Sequence, residues 1–111
     1  MSEEQARRVG LNESLFRQVN EQIESLNRDL GASDETMTVI CECADGDCTE
    51  RFEIRVSAYE QVRANPRRYV IVPGHEVEQF ESVVESGEGY DVVQKRDGTA
   101  AKLAEETNPR S

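Results

Sequence analysis

Apolar residues recur along the first third of the chain at spacings of three and four positions, the period of an amphipathic helix. The members are Phe16, Val19, Ile23, Leu26 and Leu30, with Leu15 beside them. Asn12 is a suitable N-cap residue, and Gly31 follows the last apolar position, where glycine ends many helices. Gly10 weakens a helix before Asn12. The pattern therefore predicts a helix over residues 12–30, preceded by a flexible N-terminus at 1–11.

The apolar stripe of this helix has two interpretations. It either packs on the sheet of its own domain or forms a coiled-coil seam with another chain. The repeat covers only about two heptads, which is fewer than a coiled coil usually shows. The pattern therefore favours internal packing, and it leaves the oligomeric state open.

A second pattern, with a period of two residues, follows the helix. Met37, Val39, Cys41 and Cys43 share one parity, and Phe52, Ile54 and Val56 alternate with charged residues, which is typical of half-buried strands. With residues 44–47 as the loop of a hairpin, Cys43 faces Cys48 across the two strands. The same register sets Val39 opposite Phe52 and Met37 opposite Ile54. Because alternate residues of a strand share one face, all three cysteines are predicted to point to the same side.

Helix and strand signals continue after the hairpin. Ser57, followed three residues later by Glu60, has the form of a capping box. Pro66 ends the helix that this box would begin, because the residue before a proline disfavours helical geometry. Residues 69–72 form an apolar run that predicts a buried strand.

The remaining segments complete an α+β fold. Residues 76–85 have apolar positions on one helical face, and residues 90–95 are predicted to form a last strand. The polar segment 96–111 is predicted to be a tail that is disordered or weakly helical. We therefore expect an N-terminal helix, a metal-bound hairpin and then helix, strand, helix and strand, packed as a single domain over residues 12–95.

The cysteines and the histidine are the residues with the clearest chemistry. The chain contains three cysteines and one histidine, and a set of three thiolates and one imidazole is a usual tetrahedral zinc site. We therefore predict a structural Zn²⁺ site on Cys41, Cys43, Cys48 and His75. This site would tie the tip of the hairpin to the turn after the next strand, which is useful in a domain with a modest core.

Other uses of these residues stay open. The cysteines could pack as apolar side chains, or two of them could form a disulfide and leave the third over. His75 could be a surface residue, with a carboxylate or water as the fourth ligand. A zinc with an open position and Glu76 as the base would be a hydrolytic site. Thiolates that release zinc on oxidation would be a redox switch.

Composition narrows the class of function. The net charge of −10 disfavours direct contact with nucleic acid or anionic membranes, which requires Lys and Arg. It is compatible with a basic protein partner. The amino terminus lacks the features of a signal peptide, and no apolar run approaches membrane-spanning length. We expect a cytoplasmic, non-enzymatic interaction or regulatory module with a protein partner that the sequence does not identify.

The chain also resembles a group of small actinobacterial proteins of similar length. The resemblance is carried by four segments, at 15–21, 41–51, 59–63 and 73–76, which contain a Cys-x-Cys-x4-Cys motif and a Pro-Gly-His-Glu motif. It implies a bacterial, cytosolic origin. It implies no particular activity.

Overall fold

The computed structural model describes residues 3–29 and 35–110, and these form an α+β fold with two antiparallel sheets. The elements, in chain order, are α1 (Glu3–Asp29), β1 (Thr36–Ile40), β2 (Arg51–Arg55), α2 (Val56–Arg63), β3 (Arg68–Ile71), β4 (Glu81–Ser86), β5 (Asp91–Lys95) and α3 (Thr99–Glu106). The first sheet is the β1–β2 hairpin, and the second has the strand order β3-β5-β4. The α+β class predicted from the sequence is confirmed. In the described part of the chain, no helix has both the length and the apolar character of a membrane span.

The β1–β2 hairpin has the register that its alternating pattern predicts. Met37 pairs with Ile54, and Val39 pairs with Phe52. The Cys41 amide donates to the Glu50 carbonyl at 3.0 Å, which extends the same register past the end of β1. Register is strongly specified here because a shift of one residue would turn the apolar face of the hairpin towards solvent.

Helix α1 begins at Glu3 rather than at Asn12, so the prediction of a flexible segment at 1–11 is wrong for residues 3–11. Tertiary packing explains the difference at Gly10. A Cβ placed there would lie 3.0 Å from Cδ1 of Leu103 in α3, so the missing side chain lets the two helices approach closely. The contact with α3 offsets the low helix propensity of glycine. The predicted helix end at Leu30 and Gly31 lies outside the described residues.

The face that α1 buries is largely polar, which the apolar period did not predict. Its members are Glu13, Ser14, Arg17, Asn20 and Glu24, with Ala6, Val9 and Gly10 towards the N-terminus. In the predicted stripe, Leu15, Val19 and Leu26 are exposed, whereas Ile23 packs against the core. Internal packing, which the pattern favours, therefore holds for Ile23 and does not hold for Leu15, Val19 and Leu26.

Buried polar groups on α1 are retained because they bond to the rest of the domain. Arg17 donates to the carbonyl oxygens of Pro66 and Ala104 at 2.6 and 2.8 Å. Asn20 donates to the Ile40 carbonyl and accepts from the Ile40 amide, at 2.8 and 2.9 Å. These contacts fix the helix against β1, the segment before β3, and α3. Buried polar groups are tolerated when they are paired in this way.

Strand β3 separates two apolar clusters. Val70 belongs to the first cluster, with residues of the hairpin and α2. Tyr69 and Ile71 belong to the second, together with Cys41 and Cys43. Successive side chains of a strand point to opposite faces, so β3 contributes to both clusters. The cysteines that were expected to bind zinc are therefore built into the second cluster.

The segment 76–85, predicted to be a helix, instead leads into strand β4. Its pairing with β5 contains a bulge between Val83 and Glu85. A bulge inserts one extra residue and interrupts strict alternation. Because Val83 and Val84 are adjacent, the sequence shows no period of two here and fits one face of a helix instead. The β-branched valines nevertheless favour a strand.

Two further elements differ from prediction. Helix α2 begins at Val56, whose amide donates to the Glu35 carbonyl at 3.0 Å, so Ser57 lies inside the first turn and does not cap it. Within the predicted tail, Thr99–Glu106 form α3. This helix buries the small side chains of Ala100, Ala101 and Ala104, which let it lie close against α1.

Candidate metal centre

The three cysteines and His75 meet at the tip of the hairpin. Cys41 and Cys43 follow β1, Cys48 precedes β2, and His75 lies in the turn after β3. Their ligand atoms all lie within 4.8 Å of one another. The four residues predicted from the sequence therefore lie close enough together to hold one metal ion.

The distances between these atoms suit a tetrahedral ion. Nδ1 of His75 lies 3.5 Å from Sγ of Cys41 and 3.7 Å from Sγ of Cys48. In a tetrahedron with Zn–S distances of about 2.3 Å and Zn–N distances of about 2.0 Å, sulfur and nitrogen lie roughly 3.5 Å apart. Both distances match this value, and all four donor atoms lie within 4.8 Å of one another.

Local hydrogen bonds in the hairpin loop form the turn that places Cys48 beside the other two thiols. The Asp47 amide donates to Oδ1 of Asp45 at 2.9 Å, and the Cys48 amide donates to the Asp45 carbonyl at 3.0 Å. This is the turn chemistry typical of aspartate. Asn12 was predicted to cap a helix, but it donates from Nδ2 to the Ala44 carbonyl at 2.9 Å and so holds the loop against α1.

The imidazole of His75 is oriented from its outer side. The turn after β3 closes with a bond of 3.1 Å from the His75 amide to the Val72 carbonyl, and Gly74 takes a φ of 92° that favours glycine. Nε2 of His75 lies 2.8 Å from Oε2 of Glu50. A carboxylate at the outer nitrogen fixes the tautomer and directs the other nitrogen towards a metal. The lone pair of Nδ1 then faces the thiols.

Glu50 was not identified as a functional residue from the sequence, where Glu76 was considered beside His75. The hairpin register contained the signal, because the carbonyl of Glu50 pairs with the amide of Cys41. That pairing places Glu50 level with the cluster. What the sequence lacked was the position of the β3 turn, which brings the ring of His75 to this carboxylate.

The thiols share charge unequally in the absence of a cation. A hydrogen bond from the Cys41 thiol lowers the pKa of Cys43 to about 5. The same bond, with burial, raises the pKa of Cys41, and burial raises the pKa of Cys48. One thiolate thus forms readily and makes further ionisation harder, because like charges disfavour one another. A divalent cation would remove this conflict and permit three thiolates together.

A backbone amide also supports the cluster, since the Val72 amide donates to Sγ of Cys41 at 3.2 Å. Cys41 and Cys43 are each 1% exposed, whereas Cys48 and His75 are partly exposed. The cluster therefore has a sheltered side that faces the second apolar cluster and an outer side near solvent.

Glu42, between the first two cysteines, points away from the thiols. Its carboxylate accepts hydrogen bonds from Asn20, from Tyr59 and from the Val70 amide, at 2.8, 2.8 and 3.0 Å. The side chain is fully buried, and burial raises its pKa. Glu42 therefore joins the hairpin to α1, α2 and β3. Its parity on the strand, opposite to that of the cysteines, is the sequence signal for this direction.

Comparison of the chain with protein-family models, curated proteins and solved structures gave no match.

Proposed function

We propose that Cys41, Cys43, Cys48 and His75 bind one structural Zn²⁺ per chain, in a small cytoplasmic protein that acts as a non-enzymatic interaction module. The observation that supports zinc most directly is the donor set itself. Three sulfur atoms and one imidazole nitrogen, all within 4.8 Å of one another, match the ligand types and spacing of a structural zinc site. Calcium and magnesium prefer oxygen ligands.

A structural role follows from the number of protein donors. Four protein ligands fill a tetrahedral zinc, whereas catalytic zinc keeps one position for water or substrate. A recess of about 430 Å³ opens at the other end of the hairpin, where it is lined by Ile54, Ala58 and Tyr90 among others. None of its lining residues belongs to the cluster. These features favour a structural metal over a hydrolytic one.

The zinc would join parts of the chain that are distant in sequence. Cys41, Cys43 and Cys48 belong to the hairpin, and His75 belongs to the turn after β3. Because an unfolded chain lacks the assembled site, the free energy of metal binding becomes free energy of folding, about 10 kcal/mol or more in zinc-finger peptides. The other contacts of the hairpin, such as those of Glu42, reduce the fraction of stability that depends on the metal.

Metal analysis tests the proposal. Protein purified without added zinc should carry about one equivalent of metal per chain. The Cys43→Ser variant should carry much less, and Asp45→Asn should match the wild type because its side-chain oxygen can still accept from the Asp47 amide. Wild-type protein with little metal that added zinc does not restore would overturn the proposal.

A redox switch is the second candidate, and partial exposure of Cys48 favours it. An oxidant could reach this sulfur from solvent, although Cys41 and Cys43 are sheltered. Oxidation of two thiolates to a disulfide would remove two ligands and release the metal. The exposed carboxylates of Asp45, Asp47 and Glu50 at the loop oppose this reading, because reactive thiolates usually lie in electropositive surroundings.

A further inference from the structure

Helix α1 carries an uncharged seam on the side opposite to its buried face. We call this the outer seam, and its members are Leu11, Leu15, Gln18, Val19, Gln22 and Leu26. Leu15 and Leu26 are 60% and 64% exposed, and Leu11 and Val19 are 44% and 39% exposed. Exposed apolar side chains grouped along one face of a helix mark interaction sites.

The spacing of the outer seam is that of a helix-pairing surface. Its positions recur at intervals of three and four residues, as in the seam of a coiled coil. It crosses the middle of a helix of 27 residues and contains no charged residue, although 32% of the chain is charged. A basic partner attracted by the acidic surface would find no carboxylate along this seam. The pattern instead fits a second helix with the same apolar spacing.

We propose that the outer seam binds a second copy of this chain, with the two α1 helices antiparallel. A two-fold axis between Gln18 and Val19 sets these two residues against each other. The same axis places Leu11 against the partner's Leu26, and Leu15 against the partner's Gln22. The seam therefore pairs with itself, as a symmetric dimer interface requires, with a leucine pair towards each end and uncharged glutamines between them.

Charges at the ends of the seam select the antiparallel direction. In this register Arg8 faces the partner's Asp29, and the symmetry repeats the pair at the other end. The Arg8 side chain is 71% exposed, and Asp29 is exposed. In a parallel pair, Arg8 would face the partner's Arg8 and Asp29 would face the partner's Asp29, which places like charges together. Such charge pairs set orientation more than affinity.

The interface is separate from the metal cluster. The cysteines lie at the hairpin tip, whereas the outer seam lies on the side of α1 that faces away from the domain. Self-association therefore does not depend on the proposed function. Self-association can therefore be measured in protein that binds no metal, and metal binding can be measured in protein that stays monomeric.

Sedimentation velocity of the zinc-loaded full chain over a concentration series tests the dimer. We expect a concentration-dependent shift from monomer to dimer in the wild type. Leu15→Glu would bury a charge in the seam and should raise the dimer Kd by about 100-fold or more. The matched control is Val84→Glu, because Val84 is 44% exposed on β4, away from α1. It should leave the dimer Kd unchanged.

Charge reversal tests the direction of pairing. Arg8→Glu alone and Asp29→Arg alone should each weaken the dimer, and the double variant should restore it, because each end again pairs opposite charges. Restoration is not expected of a parallel pair, since the double variant again sets like charges against each other. Circular dichroism and metal content of each variant confirm that the fold and the cluster are intact.

Three outcomes would overturn the proposal. The first is a wild type that stays monomeric over the whole series. The second is a dimer that Leu15→Glu leaves intact or that Val84→Glu disrupts equally. The third is a dimer that double charge reversal fails to restore. Binding of the wild type to anionic vesicles without self-association would assign the seam to a membrane surface instead.

Discussion

The Oε2 atom of Glu50 lies 2.8 Å from Nε2 of His75, on the opposite side of the imidazole from the thiols. This contact holds the imidazole with its other nitrogen towards the thiols, which is the orientation that the proposed metal site requires. It also connects β2 to the turn after β3 through a group that does not itself touch the metal position.

Replacement of Glu50 by alanine should weaken metal binding while the fold is retained. Loss of a carboxylate that orients a ligand histidine typically costs 10- to 100-fold in metal affinity, or roughly that range here. Competition with a chromogenic chelator measures the change. Glu53→Ala is the matched control, because Glu53 is an exposed residue of the same hairpin. Equal affinities for both variants would show that Glu50 does not support the site.

Removal of a sheltered ligand should lower thermal stability through the metal. Cys43 is 1% exposed, and Cys43→Ser changes its volume little, so the main loss would be zinc coordination. The melting temperature should fall clearly in this variant and hardly change in Asp45→Asn. A chelator should lower the melting temperature of the wild type but have little further effect on Cys43→Ser. A chelator without effect on the wild type would mean that the thiols only pack.

Peroxide treatment distinguishes a structural zinc from a redox switch. Acidic residues around the loop and the burial of two ligands predict slow oxidation. Zinc release, followed with a chromogenic chelator, should occur only at peroxide levels that also damage ordinary zinc fingers. Rapid release under milder conditions, reversed by a thiol reductant, would favour the switch.

A buried charge cluster predicts a dependence of stability on pH. Lys95 contacts both Glu13 and Glu81, and all three side chains are buried. Burial raises the pKa of Glu13 well above its usual range, although Lys95 opposes the shift. The contribution of Glu13 is therefore complete below its unfolded pKa of about 4.3, and it is lost as pH rises through the higher folded pKa.

Chemical denaturation over a pH series measures this effect. Glu13→Gln should flatten the decline in stability above pH of about 4.3, because glutamine does not titrate. Lys95→Met would leave two acidic groups without their cation and should destabilise the fold by about 3–5 kcal/mol. An unchanged pH profile in Glu13→Gln would show that this carboxyl is not responsible.

The hairpin register and the grouping of the thiols could be predicted from the sequence, because both depend on which alternate residues of a strand share one face. Alternation set the pairs Met37–Ile54 and Val39–Phe52, and the same parity placed three thiols on one side. The end of the apolar run at 69–72 indicated a turn before His75, but it did not predict the contact between the His75 ring and Glu50. Local rules were sufficient where one strand pairs with its neighbour in sequence.

The burial of α1 could not be predicted in the same way. Its regular apolar stripe is mostly outside, and the buried face includes Arg17, Asn20 and Glu24. The partners of this face, such as the carbonyl groups of Pro66 and Ala104, are distant in sequence. A pattern of apolar positions does not reveal polar side chains that are buried because they form long-range hydrogen bonds. The helix predicted over 76–85 was wrong because the bulge in β4 sets Val84 next to Val83 and interrupts the alternation of a strand.

The hydrogen bond from Arg17 to the carbonyl of Ala104 also has a consequence for folding during translation. A growing chain exposes Arg17 long before residue 104 has been made. Until then the guanidinium lacks one of its acceptors, and the buried face of α1 lacks α3. Because contacts of such long sequence separation form late, the domain should complete its folding after translation of α3. Binding of the proposed metal can precede that step, because His75 is the last of its four donors to be translated.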